Sequence, residues 1–212
     1  APETALALRD NGDFRWHPSL ARLADLYNQG KVAVLPAVDY ADPDQSHFNS
    51  VGYWRTGTVG HTLDLTGWLG RTMDLMGTPD NPLQAVSISG DLDPVLRSRT
   101  APVGSVYDPG AFSFWIPGVW GDDGFTSLYR DAARGRARGG LKAARDAYRN
   151  AFRMVDMLEP LKVDKDHPLP PTPVAYPDTD LGKDLRNLAR ILGAGFGTRI
   201  AAVSTGGYDT HD

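Results

Sequence analysis

A carboxylate and an imidazole stand two residues apart in the segment Gly206-Gly207-Tyr208-Asp209-Thr210-His211-Asp212. In extended backbone such residues project to the same side, so Asp209 and His211 can converge on one cation. A carboxylate with a neutral imidazole suits zinc or manganese, with magnesium or calcium as further candidates. The pair follows Thr198 to Ser204, a short apolar run that reads as a buried strand. In open α/β sheets, ligands bind beyond the carboxyl ends of strands, and two glycines let the chain turn tightly there. Two ligands do not complete a site, and the same spacing also suits a structural loop, so both readings stand.

A second constellation, Asp42-Pro43-Asp44-Gln45-Ser46-His47-Phe48, follows the apolar run Lys31 to Val38. Ser46 stands where a helix begins, which makes it an N-cap candidate. The unpaired N–H groups of a helix start also favour phosphate or sulfate, so Ser46 and His47 are candidate anion-binding residues. If a metal lowers its pKa, the Ser46 hydroxyl becomes a candidate catalytic nucleophile. His17, His61 and His167 lie in loop-like contexts and read as surface residues.

The elements that must position these groups follow from hydrophobic spacing. Leu20, Leu23, Leu26 and Tyr27 mark a helix over 18–29 that Gly30 ends. Lys31 to Val38 then reads as a strand, and a helix feeding an apolar strand signals a parallel sheet packed by helices. Helices are predicted from Ser46 to Arg55 and from Gly67 to Met76, and a strand over Leu83 to Ser89. Gly90 to Gly124, rich in Gly, Pro and aromatic residues, reads as a surface insertion, with a ligand cleft as the alternative. A helical region from Phe125 to Leu161 is predicted to break near Gly135 to Gly140. Residues 164–178 form a proline-rich connector, and Leu181 to Leu192 a further helix.

Composition narrows the function classes. With 212 residues, 41% of them hydrophobic, the chain can bury a core and reads as one domain or most of a larger one. A net charge of -4 argues against an electrostatic nucleic-acid binder. The basic stretch Arg130 to Arg149 is interleaved with Asp131 and Asp146 and reads as a solvated helix surface. Cysteine is absent, which removes thiolate metal sites and cysteine nucleophiles. No apolar run approaches the ~20 residues of a membrane span.

Taken in order, Trp16-His17-Pro18-Ser19-Leu20, Val32-Ala33-Val34, Asp42 to Phe48, Gly67-Trp68-Leu69-Gly70-Arg71 and Gly206 to His211 resemble the bacterial domain of unknown function 1501 proteins. These belong to the alkaline-phosphatase-like and sulfatase-like superfamily. The resemblance implies an α/β fold, a three-layer α/β/α sandwich with a mostly parallel central sheet. It also implies a one- or two-metal hydrolytic centre and export by a twin-arginine signal to the periplasm or beyond. Asp209 and His211 would be metal ligands, and Ser46 would stand near the nucleophile position. Family members carry a Gly-Gly-x-Asp-Gly loop before these blocks and Ser-Glu-Phe-Gly-Arg and Thr-Asp-His-Gly segments after them. The resemblance thus implies one domain over 1–212, truncated at both ends and completed by missing segments of the same protein.

Two functions are expected from these observations. One is a metal-dependent hydrolase of phosphate or sulfate esters, on a small molecule or a glycan. The other is a secreted binding or scaffold protein that keeps the fold without turnover.

Overall fold

The computed structural model describes residues 4–60, 64–114 and 123–207. The chain divides into two units, Ala1–Asp44 and Gln45–Asp212.

In the first unit a short antiparallel hairpin, β1 (Leu6–Leu8) and β2 (Asn11–Trp16), turns at Arg9 and Asp10. Asn11 fixes the turn, its Oδ1 accepting from Asp13 N at 2.9 Å. A 3-10 turn, Pro18–Leu20, leads into α1 (Ala21–Asn28), and Gly30, at φ 72, ends it. Trp16 meets Tyr27 edge-on at 5.8 Å, and Leu8 and Ala24 are buried. The predicted strand Lys31 to Val38 does not form. Leu35 and Val38 are 74% and 68% exposed. Pro36 supplies no N–H for a ladder, and Ala37 adopts φ 55, so the run cannot stay extended.

The second unit is built on a three-stranded parallel sheet in the order β4-β3-β5, comprising β3 (Ala85–Ser87), β4 (Gly104–Ser105) and β5 (Ile200–Ala202). Successive residues of a strand face opposite ways, and β3 shows both packings. Ala85 joins Met73, Val95 and Leu96, a cluster supplied by α3 (Trp68–Met76) and a 3-10 turn, Pro94–Leu96. Val86 joins Leu83, just before the strand, with Met154 and Leu158 of α5 (Gly139–Leu158) and Ile191 of α6 (Asp180–Gly193). The remaining helices are α2 (His47–Thr56) and α4 (Asp123–Ala132). The stretch read as a surface insertion thus carries the strand β4 and the buried Val95, Leu96 and Val106. No helix among the described residues is long and apolar enough to cross a membrane.

Two glycines let α3 meet the 94–97 turn backbone to backbone. A Cβ on Gly67 would lie 2.0 Å from the Val95 carbonyl oxygen, and one on Gly70 would lie 2.0 Å from that of Arg97. Gly67 N donates to Arg97 O at 2.9 Å. Arg71 ties the same helix to its predecessor, donating to Thr66 O at 2.9 Å and Thr56 O at 2.7 Å. The Gly67-Trp68-Leu69-Gly70-Arg71 block is therefore a packing device.

Candidate functional site

Ser46 sits at the N-cap of α2 in extended backbone, and its Oγ accepts from Asn49 N at 3.3 Å. This is the capping role open to it from sequence. His47 is exposed and borders a groove of about 430 Å³ with Phe48, Val51, Leu65, Arg55 and Arg97. Phe48 and Leu65 make much of its rim apolar, and Arg55 Nε lies 3.4 Å from Asp93 Oδ1. The groove is therefore mainly an apolar surface beside an ion pair.

The carboxyl ends of β3 and β5 meet at Asp93. Its carboxylate accepts from Val95 N at 2.9 Å and from Ser204 Oγ at 3.1 Å, in addition to facing Arg55. Asp209 and His211, the expected metal ligands, lie outside the described residues. Among the described residues, no group of three or more His, Asp or Glu side chains is placed to hold a metal ion. This corrects the expectation of a metal-dependent hydrolase and of a zinc, manganese, magnesium or calcium cofactor. With it goes the metal that was to activate Ser46.

The physical reason lies in how the carboxylates are spent. Asp74 accepts from the backbone N–H groups of Arg99, Thr100 and Ala101, each at 2.8 Å, and stitches α3 to the loop before β4. Hydrogen bonds from Thr66 Oγ1 and N, with Arg99 beside them, pull the Asp64 carboxyl down to about 2. Asp93 caps a turn. Each acid separately serves backbone, hydroxyl or guanidinium donors, whereas a cation needs several acids or imidazoles turned toward one point.

The described residues do gather charge elsewhere. Between α4 and α5 the chain turns through Gly135, at φ 86, and two α5 arginines brace the turn. Arg145 Nη1 donates to Arg136 O at 2.8 Å, and Arg149 Nη2 donates to Ala133 O at 3.0 Å. The result is a hollow of about 500 Å³ bordered by Arg136, Arg138, Lys142, Arg145, Arg149 and one acid, Asp146. Asp146 pairs with Lys142 Nζ at 2.5 Å and with Arg149 Nη1 at 2.7 Å. Donation from Lys142, reinforced by Arg149, holds its carboxyl below the usual range. Arg136 and Arg138 make no side-chain ion pair among the described residues, and the buried Arg145 Nε has no hydrogen-bond partner there.

The same hollow meets the start of α5. Arg138, at its N-cap, offers no side-chain hydrogen bond, and a Cβ on Gly139 or Gly140 would meet nothing within 4 Å. An oxyanion can approach this backbone, where the helix dipole and amide donors favour negative charge. The basic stretch is the solvated helix surface expected, with Arg136, Arg138, Lys142 and Arg149 exposed, and it also borders this hollow. Helical spacing carries the signal, because Lys142, Arg145, Arg149 and Arg153 recur at intervals of three and four on one face.

Against protein-family models, curated proteins and solved structures, the chain finds no match.

Proposed function

We propose that the chain is a binding module for an oxyanion-bearing ligand, taken into the hollow between the 135–138 turn and the start of α5. One observation carries this reading. Five cationic side chains and a single carboxylate border one hollow in a chain whose net charge is -4. Concentrating like charge against the overall balance costs repulsion, which a bound anion relieves. Guanidinium groups suit sulfate and phosphate because their planar forks donate two parallel hydrogen bonds.

In this reading the α/β/α sandwich and the affinity with the domain of unknown function 1501 proteins are part of the proposal, as the scaffold that presents the hollow. The placement of α3 in one sheet cluster and of α5 and α6 in the other supports it. Export and a phosphate- or sulfate-bearing small molecule or glycan as ligand belong to the same proposal.

Titration calorimetry with inorganic pyrophosphate and with sulfate tests it. Saturable binding that weakens with added salt is expected. The double variant Arg136→Ala/Arg138→Ala should bind about 100-fold more weakly, from two charge-assisted contacts of roughly 1.5 kcal/mol each. Its melting temperature should hold, since neither side chain makes an ion pair among the described residues. No saturable heat at low salt, or unchanged affinity in the double variant, overturns the reading.

A further inference from the structure

We propose that the ligand is a linear sulfated oligosaccharide, lying along α5 across two adjoining hollows; this rests on the anion-binding reading above. A second hollow, of about 390 Å³, shares Gly135 and Arg149 with the first. Arg130, Arg134, Arg153, Phe152 and Asp156 complete its border. Together the two hollows are bordered by eight cationic side chains and two carboxylates, Asp146 and Asp156, with a third, Asp131, paired to Arg134 beside them.

The arrangement is linear. Lys142, Arg145, Arg149 and Arg153 share one helical face, and at 1.5 Å per residue the stripe runs about 16 Å. A compact ion fills one hollow, whereas only a ligand with charges repeated along its length meets both.

The second hollow has a fixed cationic wall over buried residues. Arg130 donates to both carboxylate oxygens of Asp156 at 3.0 Å and lies over the Phe152 ring at 4.5 Å. Arg153 donates to Asp80 O at 2.5 Å, and Arg134 pairs with Asp131 at 3.1 Å. Phe152 and Ala133 are 3% and 5% exposed beneath them. The rings are covered, so guanidinium groups form the surface of this hollow, and their planar forks suit the sulfates of a sugar chain.

Single-stranded nucleic acid is recognised by exposed aromatic platforms within a basic groove, because bases stack. Here the rings are turned on one another. Phe114 packs on Phe152 at 4.4 Å, and Tyr129 on Tyr148 at 5.2 Å. The charge is suited to an anion, but the hollows offer no open ring to a base.

Titration with a fully sulfated heparin disaccharide and octasaccharide tests this on the whole chain, with pyrophosphate alongside. The octasaccharide should bind at least roughly tenfold more tightly than the disaccharide, the equivalent of one further charge-assisted contact. Arg134→Ala/Arg153→Ala should remove that gain and leave pyrophosphate and disaccharide affinity unchanged. If losing the Arg153 bond to Asp80 lowers the melting temperature, the exposed Arg134→Ala alone should still reduce the gain. Equal affinity for the two sugars, or no effect of the second-hollow variants on the longer one, overturns the extended groove while pyrophosphate binding keeps the first hollow. An RNA oligonucleotide that binds as tightly as the octasaccharide overturns the ligand class. Loss of all binding, pyrophosphate included, removes both readings.

Discussion

Two helices of the Gln45–Asp212 unit begin in opposite ways. At α2, the Ser46 hydroxyl accepts from the Asn49 amide, so one of the donors a helix start leaves over is already served. At α5, the N-cap is Arg138, which contributes charge but no cap, and Gly139 and Gly140 leave the backbone open. The serine that looks like chemistry in the sequence satisfies its own helix, and the arginine that looks like surface leaves a helix start free for something else. A helix N-terminus attracts an anion in proportion to what the chain itself has not supplied.

The largest separation between the two regions is expected when one methyl group is added to each. On the α2–α3 side, Gly70→Ala would drive a Cβ to 2.0 Å from the Arg97 carbonyl oxygen, and backbone must move. A loss on the order of 3 kcal/mol is expected in urea unfolding, at the upper end of overpacking costs. Gly140→Ala meets open space and should instead gain about 0.5 to 1 kcal/mol from restricted unfolded backbone. Similar stability in the two variants would erase the distinction between a closed and an open helix face.

Moving the caps gives a smaller effect with a sharper reading. Ser46→Ala should cost about 1 kcal/mol of stability, the usual value of a lost N-cap, and leave pyrophosphate affinity as it was. Arg138→Ser should do the reverse, gaining up to about 1 kcal/mol by capping α5 while weakening pyrophosphate binding roughly tenfold. Thermal melts and calorimetry on the same two proteins check both. A Ser46→Ala variant that loses anion affinity at full stability would return the anion site to α2.

The sequence already marks most helices and two strands of the sheet, because their signal is local. Leu185, Leu188 and Leu192 repeat at helical spacing in α6, and β3 and β5 lie inside the apolar runs at 83–89 and 198–204. What it hides depends on partners distant in the chain. The strand β4 is two residues, Gly104 and Ser105, in a Gly- and Pro-rich stretch, and exists because it pairs with β3. Lys31 to Val38 has the composition of a strand, yet composition cannot supply a neighbour, and Pro36 and Ala37 break the extended run. The cationic hollow was hidden by its interleaved Asp131 and Asp146, which balance charge along the sequence. The turn at Gly135 brings the arginines of two segments to one hollow, where only Asp146 opposes them. For the predicted site, Ser46 was legible as a cap, while no residue type alone shows that Asp64, Asp74 and Asp93 are each taken up by separate donors.

Asp146 is where the hollow can be tuned most gently. Its carboxyl, held low chiefly by Lys142, stays ionised down through the ordinary carboxylate range and so opposes a bound anion at every pH near neutral. Asp146→Asn removes that opposition and releases Lys142 and Arg149 toward the ligand, so sulfate affinity should rise about two- to threefold, the scale of one exposed ion pair. The native protein should show the same gain only under acid, as pH falls through the lowered Asp146 pKa, because protonation does there what the amide does permanently. Calorimetry at neutral pH and in acid, on native chain and variant, separates the cases: affinity should rise more in the native protein than in the variant, which lacks the Asp146 carboxyl. A variant that binds sulfate more weakly would mean that Asp146 aligns the cations for the ligand, and the hollow would then owe its affinity to geometry more than to net charge.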